Sequence, residues 1–118
     1  MSFFNAELKT LLTGFTVGGV SIDTAFLKYE GHNDTYIVYG QSDTGNSYSA
    51  EDNVAGVVCY FDFDIYSKGN YTAIETALRD LLTANGWTWQ PNRDSPDLYE
   101  NDTGLYHKTS CYAKPIQI

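Results

Sequence analysis

The stretch from Val54 to Ser67 constrains the fold more than any other part of the chain. One set of alternating residues is Val57, Cys59, Phe61, Phe63 and Ile65. The other is Val58, Tyr60, Asp62, Asp64 and Tyr66. Side chains on a strand alternate between faces, so this pattern predicts a long strand with one covered face and one partly wet face. The apolar set must find a partner layer, which the helical segments can supply.

Two such segments are present. Phe4, Leu8, Leu11, Leu12 and Phe15 recur at helical spacing and predict a helix from Asn5 to Gly14. Ile74, Ala77, Leu78, Leu81 and Leu82 form the stripe of a second helix, closed by Asn85-Gly86. Thr72 followed by Glu75 reads as a capping box at its start. Thr35–Tyr39 is a short β run. Residues 41–53 then turn polar around a single large anchor, Tyr48, and are expected as an extended, mobile hairpin tip. Residues 18–34 keep no clean period, and only a turn at 30–34 is expected there. Trp87 and Trp89 alternate in a short extended piece. Near the C-terminus, Leu105, His107, Thr109, Cys111 and Ala113 alternate with Tyr106, Lys108, Ser110, Tyr112 and Lys114, the first set being the less polar. These elements predict one α+β domain over residues 1–118: two layers, a mainly antiparallel sheet packed on one face by two helices.

Charge narrows the partners. Fifteen acidic residues against seven basic ones give a formal charge of −8, with no basic cluster in the sequence. Sequence-specific nucleic-acid binding, which requires phosphate neutralisation, is not expected. No apolar run approaches the ~20 residues that cross a membrane, and no signal-peptide pattern opens the chain, so neither membrane partner nor export is expected. Ten tyrosines suit half-buried strands and protein interfaces equally. The two cysteines, Cys59 and Cys111, read as buried free thiols, with a disulfide left open.

Catalytic readings are weak. Asp62 and Asp64 share one strand face and form a candidate acid–base or metal pair, but ordinary wet-face alternation gives the same spacing. His107 and Cys111 stand four residues apart on a strand, ~13 Å, too far for a nucleophile and its base. No phosphate loop or calcium loop is present. We expect no cofactor, no metal and no enzyme activity. The acidic turn of Asp97, Glu100 and Asp102 reads either as a local partner for Lys108 or as a patch that steers a partner.

Four segments, in order, resemble small tail-completion or tail-terminator-like proteins of long-tailed phages of Gram-positive bacteria. They are Thr35-Tyr36-Ile37-Val38-Tyr39, Ala50-Glu51-Asp52-Asn53, Ile65-Tyr66-Ser67-Lys68-Gly69-Asn70-Tyr71 and the stretch from Pro96 to Lys108. Ser110-Cys111-Tyr112 departs from the more hydrophobic start of the final strand in that family. The resemblance implies a structural virion protein at the head-proximal end of the tail, present in the host cytoplasm during assembly. It would form a hexameric ring that stops tube growth and presents a surface for head–tail joining. Implied partners are further copies of itself, the major tail tube protein and a head-completion or connector protein. Interface candidates are Tyr48, Glu51 and Asp52 in the hairpin; Asp97, Tyr99, Glu100, Asp102, Tyr106 and Lys108 in the acidic segment; and Tyr60, Tyr66, Tyr106 and Tyr112 on an open sheet face. The alternatives are a head-side connector, a monomeric binding module, and a small metal enzyme using Asp62 and Asp64.

Overall fold

The computed structural model describes residues 4–50 and 53–117, with side chains over 4–44 and 56–116. Helix α1 (Asn5–Leu12) leads into a small hairpin of β1 (Thr16–Val17) and β2 (Val20–Ser21). Strand β3 (Asp23–Phe26) follows, then β4 (Tyr36–Ala50) and β5 (Asn53–Ser67). Helix α2 (Thr72–Ala84) precedes β6 (Thr88–Trp89), a 3-10 turn at Pro91–Arg93, β7 (Leu98–Glu100) and β8 (Leu105–Gln117). The main sheet has six strands in the order β3-β4-β5-β8-β6, with β7 also on β8. The architecture is therefore α+β with two helices and a mixed sheet.

The alternation in β5 is realised as predicted. Cys59, Phe61, Phe63 and Ile65 are fully buried, while Val58, Tyr60, Asp62, Asp64 and Tyr66 are half-buried. Leu8 and Leu12 of α1 and Ile74, Leu78 and Leu82 of α2 close over the buried set. Trp87 joins them, with Phe4 and Phe61 edge-on to its ring at 5.2 and 5.4 Å. Among the described residues no helix is long and apolar enough to cross a membrane.

Four expectations need correction. Residues 18–34, where only a turn was expected, supply β3, which gives the otherwise antiparallel main sheet one parallel pair: β3 runs parallel to β4, placing Asp23 opposite Tyr36 and Phe26 opposite Tyr39. Its short, half-buried sequence carries no period of its own, so pairing supplies the order. Residues 41–50 are not a loop. They continue β4 along β5 through register shifts near Ser42, Ser47 and Ala55, because β5 offers a full ladder to which even a polar strand can bond. Glu51 and Asp52, the rest of that expected tip, lie outside the described residues. The capping box is not used: Asn70 Oδ1 accepts from the Thr72 N–H at 2.9 Å, and Glu75 instead pairs with Arg79 at 2.9 Å. A ready asparagine two residues ahead of Thr72 displaces the threonine.

The fourth correction concerns β8. Tyr112 opposes Phe61 and Ser110 opposes Phe63, so the even-numbered residues face the helices. Tyr112 is fully buried, edge-on to Phe63 at 5.6 Å, and is not an open-face contact. Cys111 opposes Asp62 and lies on the other face, whereas Cys59 lies in the helix-covered core. The sheet separates the two thiols, both of which are free and buried.

Candidate interaction surface

The molecule is elongated, 52 × 27 × 24 Å. A 15-residue strand rising ~3.3 Å per residue accounts for the long dimension, so the β4–β5 hairpin sets it. The Ala50–Asn53 end of the ladder is at one end. At the other, β5 stops at Ser67 and Lys68-Gly69-Asn70 leads into α2.

At that second end, two of the four resembling segments, 65–71 and 96–108, meet. Lys68, Tyr71, Thr72, Asp97, Tyr106 and Lys108 line an open cavity of about 660 Å³. The Tyr71 hydroxyl donates to Asp97 Oδ1, tying the strand–helix junction to the acidic segment. Lys108 Nζ stands 3.7 Å from Asp97, the local pair anticipated from sequence. Beside the cavity Tyr99 and Tyr106 lie 5.0 Å apart, and both are about half exposed. Leu98, also exposed, extends this patch. Gly104, with φ of +72°, makes the turn that folds β7 back onto β8.

The open face of the sheet carries a row of stacked rings. Tyr29 lies 4.0 Å from Tyr36, Tyr36 lies 4.7 Å from Tyr66, and Tyr66 lies 4.2 Å from His107. Carboxylates hold both ends. Asp23 accepts from the Tyr29 hydroxyl at 2.7 Å and from Asn33 at 2.8 Å, which holds its carboxyl below the usual range. His107 sits between Asp64 at 3.2 Å and Glu100 at 3.3 Å. Burial pushes the Tyr66 hydroxyl up to about 12, with the charges of Asp64, Glu100 and Tyr36 adding to it. Faces turned toward one another leave only ring edges for a partner, so this row stiffens the surface more than it offers a stacking platform.

Further along the same face, Arg93 lies over Tyr60 at 3.8 Å and pairs with Asp43 at 3.3 Å. Tyr60 is thus roofed by the segment after β6. That segment also covers Cys111: Asp94 Oδ1 accepts from the Cys111 N–H at 2.8 Å, and Gln90 N–H donates to its carbonyl at 2.8 Å. Burial, with the Asp62 carboxylate next, pushes the Cys111 thiol up to about 12. Such a thiol is a poor nucleophile.

The structure therefore joins Tyr106, Lys108, Asp97 and Tyr99 in one patch. Glu100 and Tyr66 belong to the neighbouring ring row through His107. Asp102 is exposed in the β7–β8 turn. Tyr48 lies in the β4 backbone ladder opposite Gly56, and its side chain is outside the described set. Asp62 and Asp64 do share a face, but Asp64 also accepts from the Thr109 hydroxyl. Among the described residues no group of three or more His, Cys, Asp or Glu side chains is placed to hold a metal ion. Sequence reasoning missed Tyr29, His107, Arg93 and Lys68 as contributors. Lys68 and His107 carried a signal, through their places in the strand–helix junction segment and in the stretch from Pro96 to Lys108.

Comparison with family models and curated proteins returns no match.

Proposed function

We propose that this chain is a tail-completion protein of the tail-terminator kind. It acts by assembly: copies form a hexameric ring on the head-proximal end of a phage tail tube, halt its growth and present a joining surface to the head. The observation that carries this reading is the convergence of two resembling segments, distant in sequence, on one exposed patch around Tyr71, Tyr106 and Lys108. Half-exposed tyrosines with mixed charge at the rim are the composition of a protein interface. The long hairpin supports the same reading, since it gives each copy reach to a neighbour on a ring.

Free strand edges are a poor means of joining. The outer edge of β8 is covered by β7, the 90–95 segment and β6 as far as Ala113. The carbonyls of Thr109 and Cys111 point outward, so Pro115 shares their orientation and removes the next outward donor. The edge of β4 beyond β3 is broken by register shifts, and Asp43 caps the Thr44 N–H at 2.8 Å. Both edges are guarded in the manner that prevents indiscriminate strand pairing. Contacts through the side chains of the Tyr71–Lys108 patch are the route this leaves.

The test is to mix the purified protein with the tail tube protein of its own phage and follow tube length by light scattering and electron microscopy. A defined ring, free or capping tubes of finite length, is expected. Tubes that keep growing beside a persistent monomer would overturn the reading and favour head-side joining.

A further inference from the structure

Both ring nitrogens of His107 face carboxylates, and the two carboxylates stand on different strands. Nε2 lies 3.2 Å from Asp64 Oδ1 on β5, and Nδ1 lies 3.3 Å from Glu100 Oε2 on β7. A neutral imidazole has one N–H and one lone pair, so it can donate to only one of them. A ring with both protons donates to both. The titratable groups that face the ring are these two carboxylates and Tyr66 of β5, which stacks on it at 4.2 Å, with Tyr36 of β4 behind Tyr66.

We propose that His107 is a proton-operated clamp on β7. With both protons it holds Asp64 and Glu100 at once and pins β7 to the sheet. When it loses one, the remaining N–H stays on Asp64 and Glu100 is released. The asymmetry follows from the two strands. Asp64 stands on β5, which is bonded on both sides by β4 and β8, so its carboxylate cannot retreat from a lone pair. Glu100 stands on a three-residue strand with β8 as its neighbour, and is itself half-buried with water in reach.

Little apolar burial holds β7 down, since Leu98 and Tyr99 are both exposed. The segment is anchored at its ends instead. The Ser95 N–H donates to the Thr109 carbonyl at 2.9 Å, and the Thr109 N–H donates to Ser95 Oγ at 2.8 Å. Asp97 is tied to Tyr71, and Gly104 turns the chain back with its N–H on the Glu100 carbonyl at 2.8 Å. Residues 98–100 are the part between these anchors that can lift. They carry Tyr99, which lies against Tyr106, and they cover the β8 edge at 105–107. Release of the clamp therefore reshapes the exposed tyrosine pair and bares a strand edge. The clamp is a property of the single subunit and is independent of the tail reading.

Nuclear magnetic resonance on the full chain between about pH 5 and pH 8 tests this, with the His107 ring nitrogens reporting their protons and amide exchange reporting β7. After correction for the intrinsic pH dependence of exchange, protection at 98–100 and 105–107 should fall about 10-fold or more as the ring loses one proton, with the same midpoint. In Glu100→Gln the side-chain amide offers the ring both a donor and an acceptor, so the step should vanish. In His107→Phe the stack on Tyr66 is kept and the clamp is gone, so protection should stay at the high-pH level of wild type throughout. Protection at Phe61 and Phe63 should hold in both variants, showing that the core stays folded. A ring that stays neutral across the range overturns the proposal, as does β7 protection that does not follow the ring. So does a step that persists in either variant, which would place the switch elsewhere. None of these results bears on the tail reading, which tube length scores.

Discussion

The two faces of β5 are built from alternate residues of one strand, yet they are held by different physics. On the covered face, Phe61, Phe63 and Ile65 lose all contact with water under two helices. Burial of that kind is worth roughly 1.5–3 kcal/mol for each large side chain. On the open face, Tyr60, Asp62, Asp64 and Tyr66 keep part of their surface in solvent and are ordered by stacking and paired charges. A stacked ring adds ~0.5–1.5 kcal/mol and an exposed ion pair at most ~1 kcal/mol. The covered face sets stability, and the open face sets the shape and chemistry available to neighbours.

The largest expected effect comes from the covered face. Phe63 packs between Tyr39 at 5.8 Å and Tyr112 at 5.6 Å with no exposure. Phe63→Ala should cost ~3–5 kcal/mol in urea unfolding, from lost burial and an unfilled cavity. A smaller effect is expected across the strand. Tyr66→Ala removes two stacking contacts, to Tyr36 and His107, and should cost ~1–3 kcal/mol. Equal costs for the two variants would mean that the open face is a second core, and the division drawn above would fail.

Alkaline pH sharpens the comparison with the smallest change per group near neutrality. Tyr66 and Cys111 are each pushed up to about 12, from ordinary values of 10 and 9. Folding therefore favours their neutral forms. Their contribution is complete below the unfolded values and is lost as pH rises from about 9 to about 12. Burial raises Tyr112 on the covered face in the same direction. The melting temperature should hold between pH 7 and 9 and then fall, with tyrosinate absorbance appearing as the protein unfolds. Full tyrosine titration near pH 10 without loss of structure would contradict this.

Much of the fold was legible in sequence, because strong periodic patterns leave little choice. β5 needed one covered face, and Ile74, Leu78 and Leu82 could be buried together only on a helix. Position 86, with φ of +89°, suits glycine, and Asn85-Gly86 marked the helix end accordingly. The patch was legible in part. Lys108 and Asp97 were paired by their closeness in sequence, whereas Lys68 and Tyr71 reach the same cavity from across α2. The ring row was not legible, since Tyr29, Tyr36, Tyr66 and His107 come from four separate segments. Leu27, with φ of +64° and its side chain lying over Gly40, gave no sequence signal at all.

By itself the sequence determined which segments are strands and helices wherever apolar residues repeat at a fixed period, and it determined the acidic balance. Tertiary structure decided the phase of β8. Alternation states that two faces differ, but both sets of β8 residues are largely apolar at 110–113, and both are covered there: Ser110 and Tyr112 by the helices, Cys111 by the strap around Asp94. Register against β5 broke that tie. Tertiary structure also turned polar residues 41–50 into strand, because backbone hydrogen bonds to a neighbouring ladder do not depend on side-chain hydrophobicity. And it placed lysines from two distant segments in one cavity, which charge counted along the chain cannot reveal.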